Sequence, residues 1–174
     1  MPDPATVTDA RSVAETRLTN LAAATLVDAP STVPVIRSLL RASAYPTAGP
    51  DGAVTYPAVV ESVHDGDTIR VIGLVREGLA DDAESARLVR VTVRLAGINT
   101  PELNDADPGD RARAREARDR LRQLAPDGAL VTVTDRGREK YGRTLADITL
   151  HRGGSVAATL IAEGHGKPYA GGAR

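Results

Sequence analysis

The sequence predicts an α+β fold, a small five-stranded β-barrel with helices, preceded by a helical N-terminal extension. Three observations predict it: an Ala-rich start with helical spacing, a series of β-branched strand patterns from Val54 onward, and two helical segments among the later strands. The length of 174 residues suits one domain with an extension. We therefore expect a helical extension and linker over residues 1–52 and the barrel domain over residues 53–174.

The extension begins with a predicted helix over residues 9–26, where leucines and a valine recur at near-helical spacing. The segment 30–34 contains two prolines and breaks this helix, and a second short helix follows through Ala42. Residues 45–52 are rich in Pro and Gly and read as a linker. The apolar stripes of both helices must pack against the barrel or a partner chain, so the extension is a candidate protein-binding segment.

The first three strands of the barrel follow the linker. Residues 57–63 and 68–72 are β-branched runs separated by a hairpin turn. Residues 73–87 form a polar excursion, and the strand over residues 88–95 alternates apolar and polar side chains. This alternation places three polar side chains on one face: Arg90, Thr92 and Arg94.

The later elements alternate helices and strands. A charged helix is predicted over residues 110–124, and strands over residues 129–134 and 145–150. A last helix over residues 156–163 is capped by Ser155. Three strands, a helix, two strands and a helix make an OB-fold-like barrel.

Composition excludes several classes of protein. The absence of Cys excludes disulfide scaffolds, cysteine nucleophiles and thiolate metal sites. No apolar run is long enough to span a membrane, and the start lacks a signal-peptide pattern, so we expect no membrane partner and a cytoplasmic or undetermined compartment. The net charge of −1 argues against a protein that coats nucleic acid, so any nucleic-acid contact must be local.

Three short motifs carry candidate chemistry. Asp65-Gly66-Asp67-Thr68 offers carboxylate oxygens to a divalent metal, although Asp-Gly is also a common hairpin turn. Arg94 precedes the polar loop Asn99-Thr100-Pro101-Glu102, which can complete an oxygen site or only cap a turn. The segment 138–143 offers a guanidinium for phosphate and a tyrosine ring for base stacking, or is a solvated charged turn.

In this order and spacing, the three motifs resemble the staphylococcal nuclease-like (thermonuclease) family. The resemblance covers roughly residues 55–172 and excludes the extension. Its matching segments are Val63–Thr68, Val93–Glu102, Lys140–Asp147 and the tail Leu160–Tyr169. Several separated motifs in register are more specific than any single one.

The resemblance implies an OB-fold endonuclease that hydrolyses DNA and RNA phosphodiesters with Ca²⁺ and leaves 3′-phosphate ends. It assigns the metal to Asp67, Asn99 and the Thr100 carbonyl, with Asp65 in support. Catalysis would come from a carboxylate that activates water and two arginines that bind the phosphate: Glu102, Arg94 and Arg143. Substrate contacts would come from Lys140, Tyr141 and Tyr169.

One departure from the family pattern concerns Asn99, where the family most often has Asp. An amide oxygen still binds Ca²⁺, but the site loses one negative charge, so we expect weaker metal binding in an active enzyme. The alternative is a weak or inactive nuclease-like module that binds nucleic acid or protein, or serves a larger assembly. His64 is interpreted as a surface residue, and the arginines of the predicted helix 110–124 as a salt-bridged face.

Overall fold

The computed structural model of the chain describes residues 47–48, 53–76, 86–139 and 141–169. The helices predicted before residue 47 and the predicted contact of Lys140 lie outside these residues. Within the predicted linker, Thr47–Ala48 form a two-residue strand, β1, which pairs antiparallel with Val54 and Thr55. The boundary between extension and domain stays a prediction.

Five strands close into a mixed β-barrel, which confirms the predicted OB-fold-like domain. These strands are β2 (Val54–Val63), β3 (Thr68–Arg76), β4 (Ala86–Leu95), β6 (Leu130–Arg138) and β7 (Thr144–Leu150). Antiparallel pairing links β2 to β3, β3 to β4, and β7 to β6, and β6 pairs back to β2. The remaining contact, β4 with β7, is parallel and covers three residue pairs, from Val93↔Thr144 to Leu95↔Ala146.

The β3–β4 hairpin extends beyond the predicted strands. Its pairing continues from Thr68↔Arg94 to Arg76↔Ala86, into the segment 73–87 that the sequence predicted to be a polar excursion. Backbone hydrogen bonding between antiparallel strands does not require apolar side chains, so the ladder continues where the hydrophobic alternation stops.

Two helices accompany the barrel in the described part of the chain. Helix α1 (Pro108–Leu124) begins two residues before the predicted start, because the Asp107 side chain accepts from the Gly109 and Asp110 amides and Pro108 suits the first turn. Helix α2 (Val156–Ala162) begins after Ser155, whose hydroxyl accepts from the Ala158 amide at 3.3 Å. Neither described helix has the length and apolar character that a membrane crossing requires.

The core is aliphatic, as the absence of Phe and Trp requires. Its largest fully buried side chains are Ile69, Leu95, Ile98, Leu121, Ile148 and Leu160. Helix α1 contributes Ala114, Ala117 and Leu121, which recur at the spacing of one helix face. The arginines and carboxylates occupy other positions of α1 and form ion pairs such as Arg113–Asp110 and Arg118–Asp119. The predicted charged face is therefore confirmed.

A second, two-stranded sheet lies beside the barrel. Strand β5 (Ile98–Asn99) pairs antiparallel with β8 (Lys167–Pro168) near the end of the described chain. At Gly166 an added Cβ would lie 2.6 Å from the Ile98 side chain, so the tail approaches β5 as closely as only glycine permits. This pairing fixes the loop that carries Asn99 and Thr100.

Candidate active site

The predicted site residues come from four chain segments that meet at one end of the β3–β4 hairpin. Thr68 at the start of β3 is paired with Arg94 near the end of β4, and the Leu95 amide donates to the Asp67 carbonyl at 2.8 Å. Arg94 is also paired with Leu145 of β7, two residues after Arg143. The barrel pairing therefore brings the acidic turn and both predicted arginines to one place.

Asp67 is the centre of this cluster. Its Oδ2 accepts from the Thr100 amide at 3.0 Å and the Thr100 hydroxyl at 2.8 Å, and lies 2.9 Å from Arg94 Nη1. Its Oδ1 accepts from the Thr68 hydroxyl at 3.3 Å. Burial raises the pKa of Asp67, and the Arg94 charge and the Thr100 donors oppose that rise. The carboxylate is thus desolvated but surrounded by donors.

Arg94 joins two residues that the sequence assigned to a metal. Its Nη1 contacts Asp67, and its Nη2 donates to Asn99 Oδ1 at 3.1 Å. The Arg94 side chain is only 12% exposed, so this contact is shielded from solvent. One guanidinium therefore spans the side-chain oxygens of Asp67 and Asn99.

The donor set of Asp67, Asn99 and Thr100 fits a hard divalent cation, because carboxylate, amide and carbonyl oxygens are the ligands that Ca²⁺ takes. Within the described residues, no group of three or more His, Asp and Glu side chains could hold a metal ion. Asp67 gives this donor set its one formal negative charge, and the oxygens of Asn99 and Thr100 are neutral. Arg94 contacts one carboxylate oxygen of Asp67, Oδ2, and the amide oxygen of Asn99, whereas Asp67 Oδ1 accepts from the Thr68 hydroxyl.

Arg143 is held beside the same carboxylate through a hydroxyl. Its Nη1 donates to Thr68 Oγ1 at 3.2 Å, and that hydroxyl donates to Asp67. Its Nε donates to Glu139 Oε1 at 2.5 Å, and this hydrogen bond raises the pKa of Arg143. Sequence reasoning assigned no role to Thr68 or Glu139. The spacing of four residues between Glu139 and Arg143 was an available signal for their pairing.

The acidic turn is fixed by Asp65 and Gly66. Asp65 Oδ1 accepts from the Asp67 amide at 3.1 Å, and Asp65 Oδ2 lies 3.2 Å from His64 Nδ1. A Cβ added at Gly66 would lie 2.8 Å from Ala117 Cβ and 2.8 Å from Thr100 Oγ1. Glycine is therefore required because the turn is wedged between α1 and Thr100.

The remaining predicted residues lie on the rims of the site. Glu102 is exposed on the loop after β5. Tyr141 is 72% exposed, and Tyr169 is 43% exposed and donates its amide to the Gly97 carbonyl at 2.9 Å. Tyr141 and Tyr169 are thus exposed to solvent, whereas the contacts given above bring together Asp67, Arg94, Asn99, Thr100 and Arg143.

Two grooves contain different parts of the site. One, of about 610 Å³, is lined by Asn99, Thr100 and Glu102 and by residues of α1 and of the segment 163–167. The other, of about 580 Å³, is lined by Tyr141 and Arg143 and by residues of β2, β4 and β6. These volumes are in the range of small-molecule binding sites.

Comparisons with known proteins agree with this geometry. Residues 92–171 match the family model described as "Staphylococcal nuclease homologue", a range that includes Arg94, Asn99, Glu102 and Arg143. Endonuclease YhcR of Bacillus subtilis (strain 168) is 26% identical over 129 residues, which cover 70% of this chain and 10% of that relative. The chain thus matches about a tenth of the relative's length. The resemblance read from the motifs is confirmed, because residues 92–171 are similar to the staphylococcal nuclease family.

Proposed function

We propose that this protein is a Ca²⁺-dependent, sugar-nonspecific endonuclease that hydrolyses DNA and RNA phosphodiester bonds. The observation that carries the proposal is the meeting of two guanidiniums at one buried carboxylate. Arg94 contacts Asp67 directly, and Arg143 reaches it through the Thr68 hydroxyl. A nuclease site needs such paired cations, because negative charge on the phosphate oxygens must be stabilised in the transition state.

In this proposal the two arginines bind the scissile phosphate. Arginine suits the role because its planar N–H groups match two phosphate oxygens at once. Glu139 fixes the Arg143 side chain through Nε and Thr68 accepts from Nη1, which leaves Nη2 for substrate. Loss of either guanidinium should lower the hydrolysis rate about 10²–10³-fold, the scale of one preorganised donor.

Glu102 is proposed to orient and deprotonate the attacking water. Its exposed position in a groove that also contains Asn99 and Thr100 gives water access to it. A general base contributes roughly 10²–10⁴-fold in rate. Asp67, Asn99 and the Thr100 carbonyl would hold Ca²⁺, which supplies Lewis-acid stabilisation of the phosphate oxygens when bound.

A second candidate function is a nuclease-like module that binds nucleic acid or protein without turnover. Two features favour it: an amide at Asn99 where a carboxylate would bind metal more strongly, and the contacts of Arg94 with Asp67 Oδ2 and Asn99 Oδ1. Against it stand Asp67, Arg94, Glu102 and Arg143, which are all present in this chain.

Incubation with plasmid DNA, single-stranded DNA and RNA distinguishes the two functions. The enzyme should degrade all three with Ca²⁺, stop in EDTA, and lose activity in Glu102→Gln. Glu116→Gln is the matched control, because Glu116 lines the same groove from α1. Intact substrates with retained binding would establish the module instead. Equal rates for Glu102→Gln and wild type would refute the assigned base.

A further inference from the structure

The groove beside Arg143 has the charge and lining of a nucleotide subsite. Its rim carries three arginines, Arg90, Arg138 and Arg143, and the exposed Tyr141. Asp135 is the one carboxylate among the described residues that line it, and Val54, Val89 and Val91 give it an apolar wall. A positively charged rim with an apolar wall suits a unit that has a phosphate and a flat base.

The barrel pairing explains why this groove exists. Strand β4 pairs with β7 only over Val93–Leu95. The earlier residues of β4, including Arg90 and Val91, pair with β3 on one side and on the other line a groove together with the end of β6. A register shift between Asp135 and Arg138 bends β6 at the same place. The groove is thus part of the barrel wall and continues directly from Arg143.

The arginines of this groove keep donors for a ligand. Arg138 Nη1 donates to the Thr144 hydroxyl at 2.5 Å, which is a neutral acceptor. Arg90 uses Nε and Nη2 on one oxygen of Glu61, and its side chain is 53% exposed. A guanidinium has five N–H groups, so each arginine retains donors.

The other groove has the opposite charge. Arg113 and Lys167 are its cations. Five carboxylates also line it: Glu102, Asp105, Asp110, Glu116 and Glu163. A polynucleotide has one negative charge per phosphate and is repelled there, whereas the arginine-lined groove attracts it. Water and a metal ion can enter the acidic groove, whereas the basic groove is the more favourable of the two for a strand bound at Arg143.

We propose that a single nucleic-acid strand runs from the scissile phosphate at Arg143 along this groove, and that Arg138 and Arg90 bind a neighbouring nucleotide through its phosphate. The proposal rests on the proposed function, since it takes Arg143 as the phosphate contact. It assigns to the protein a substrate longer than one phosphodiester unit. Arg138 and Arg90 then increase the affinity for longer strands and take no part in the chemical step.

Fluorescence anisotropy of labelled oligothymidylates, measured in EDTA so that no hydrolysis occurs, tests the proposal. The double variant Arg90→Gln/Arg138→Gln should bind an octamer about tenfold more weakly and bind a dinucleotide as wild type does. The slope of log affinity against log salt should fall by about 0.7 for each lost phosphate contact on a single strand. Arg138→Lys should keep the slope, because it keeps the charge.

Arg113→Gln is the matched control, since Arg113 is an arginine of the acidic groove. Circular dichroism of each variant verifies the barrel, and Arg138→Gln alone avoids disturbing the Arg90–Glu61 pair. The subsite would be overturned if Arg138→Gln and Arg90→Gln/Arg138→Gln both bound the octamer as tightly as wild type. It would also be overturned if Arg113→Gln lost as much octamer affinity as these variants. Absence of hydrolysis with this binding pattern intact would overturn only the proposed function.

Discussion

The Arg94 guanidinium spans the Asp67 carboxylate and the Asn99 amide oxygen, at 2.9 and 3.1 Å. Both oxygens belong to the proposed Ca²⁺ ligands, so the protein supplies its own cation where a metal would bind. Under the proposed function, Ca²⁺ held by these two oxygens would compete with Arg94, and a guanidinium displaced in this way would be able to bind phosphate. Metal affinity and phosphate binding would then be coupled through one side chain.

Arg94→Gln should change metal affinity and hydrolysis in opposite directions. Removal of the competing cation should tighten Ca²⁺ binding about tenfold, because the Asp67 charge is then balanced by the metal alone. Loss of the phosphate contact should lower the rate about 10²–10³-fold. Calorimetric titration and single-turnover hydrolysis measure the two effects, with the exposed Arg70→Gln as control. Weaker Ca²⁺ binding in Arg94→Gln would contradict the competition.

Asn99→Asp should tighten Ca²⁺ binding, because a second carboxylate raises the ligand charge. From the sequence alone, repulsion between the introduced carboxylate and that of Asp67 would lower the stability of the metal-free protein. The position of Arg94 between the two side chains changes this expectation. We expect the free energy of unfolding in EDTA to stay within about 1 kcal/mol of wild type, since the new ion pair offsets the repulsion.

Urea unfolding in EDTA and calorimetry with Ca²⁺ check both parts, with Asn99→Ala as the variant that has neither oxygen nor charge. A loss above about 2 kcal/mol in EDTA would mean that Arg94 does not compensate the added carboxylate. Equal Ca²⁺ affinity in Asn99→Asp and wild type would place the metal elsewhere.

Gly66→Ala should lower both stability and activity. The added methyl group would lie 2.8 Å from Ala117 Cβ and from Thr100 Oγ1, and overpacking of this kind costs about 1–3 kcal/mol. Displacement of Thr100 would also disturb two donors to Asp67. Urea unfolding of Gly66→Ala, Ala117→Gly and the double variant measures the coupling. Strict additivity would show that the turn and α1 do not compete for this space.

Tyr56 should make the protein less stable at high pH. Burial raises the pKa of Tyr56 to about 12 from the ordinary value of 10.0. The native state thus keeps a proton that the unfolded chain has lost, so the free energy of unfolding falls as pH rises from about 10 to 12, by up to roughly 2–3 kcal/mol. Absorbance titration of phenolate and denaturant unfolding across this range should show the effect, and Tyr56→Phe should remove the part due to this residue. An unchanged pH profile in Tyr56→Phe would refute it.

The sequence was sufficient for the barrel because most of its strands and α1 have strong periodic patterns. In β4 the alternation correctly placed Val93 and Leu95 in the core and Arg94 on the opposite face. Strands β1, β5 and β8 were not predicted, since two residues cannot show a period. Their pairing depends on which distant segment is adjacent, and a local pattern contains no such information.

The motifs also predicted which residues assemble, but not how they contact each other. Asp67, Arg94 and Asn99 were selected by their chemical types and by the family resemblance. The bridging position of Arg94 follows from the β3–β4 register and the β5–β8 pairing together. The role of Gly66 likewise depends on Ala117, about fifty residues later in the chain. Long-range packing of this kind leaves no local signature.

The three-residue pairing of β4 with β7 has a consequence for how the site forms. It joins Arg94 to the segment after Arg143 across about fifty residues, whereas the turn His64–Asp67 joins β2 to β3 across four. Closing the longer loop costs roughly 2 kcal/mol more in chain entropy, and the three residue pairs of this contact offset little of that cost. The hairpins should therefore form first, and the candidate site of Asp67, Arg94 and Arg143 should form last. A nascent chain would acquire its acidic turn and Arg94 well before Arg143 reaches them, so the two arginines of the proposed phosphate site come together only when the barrel closes.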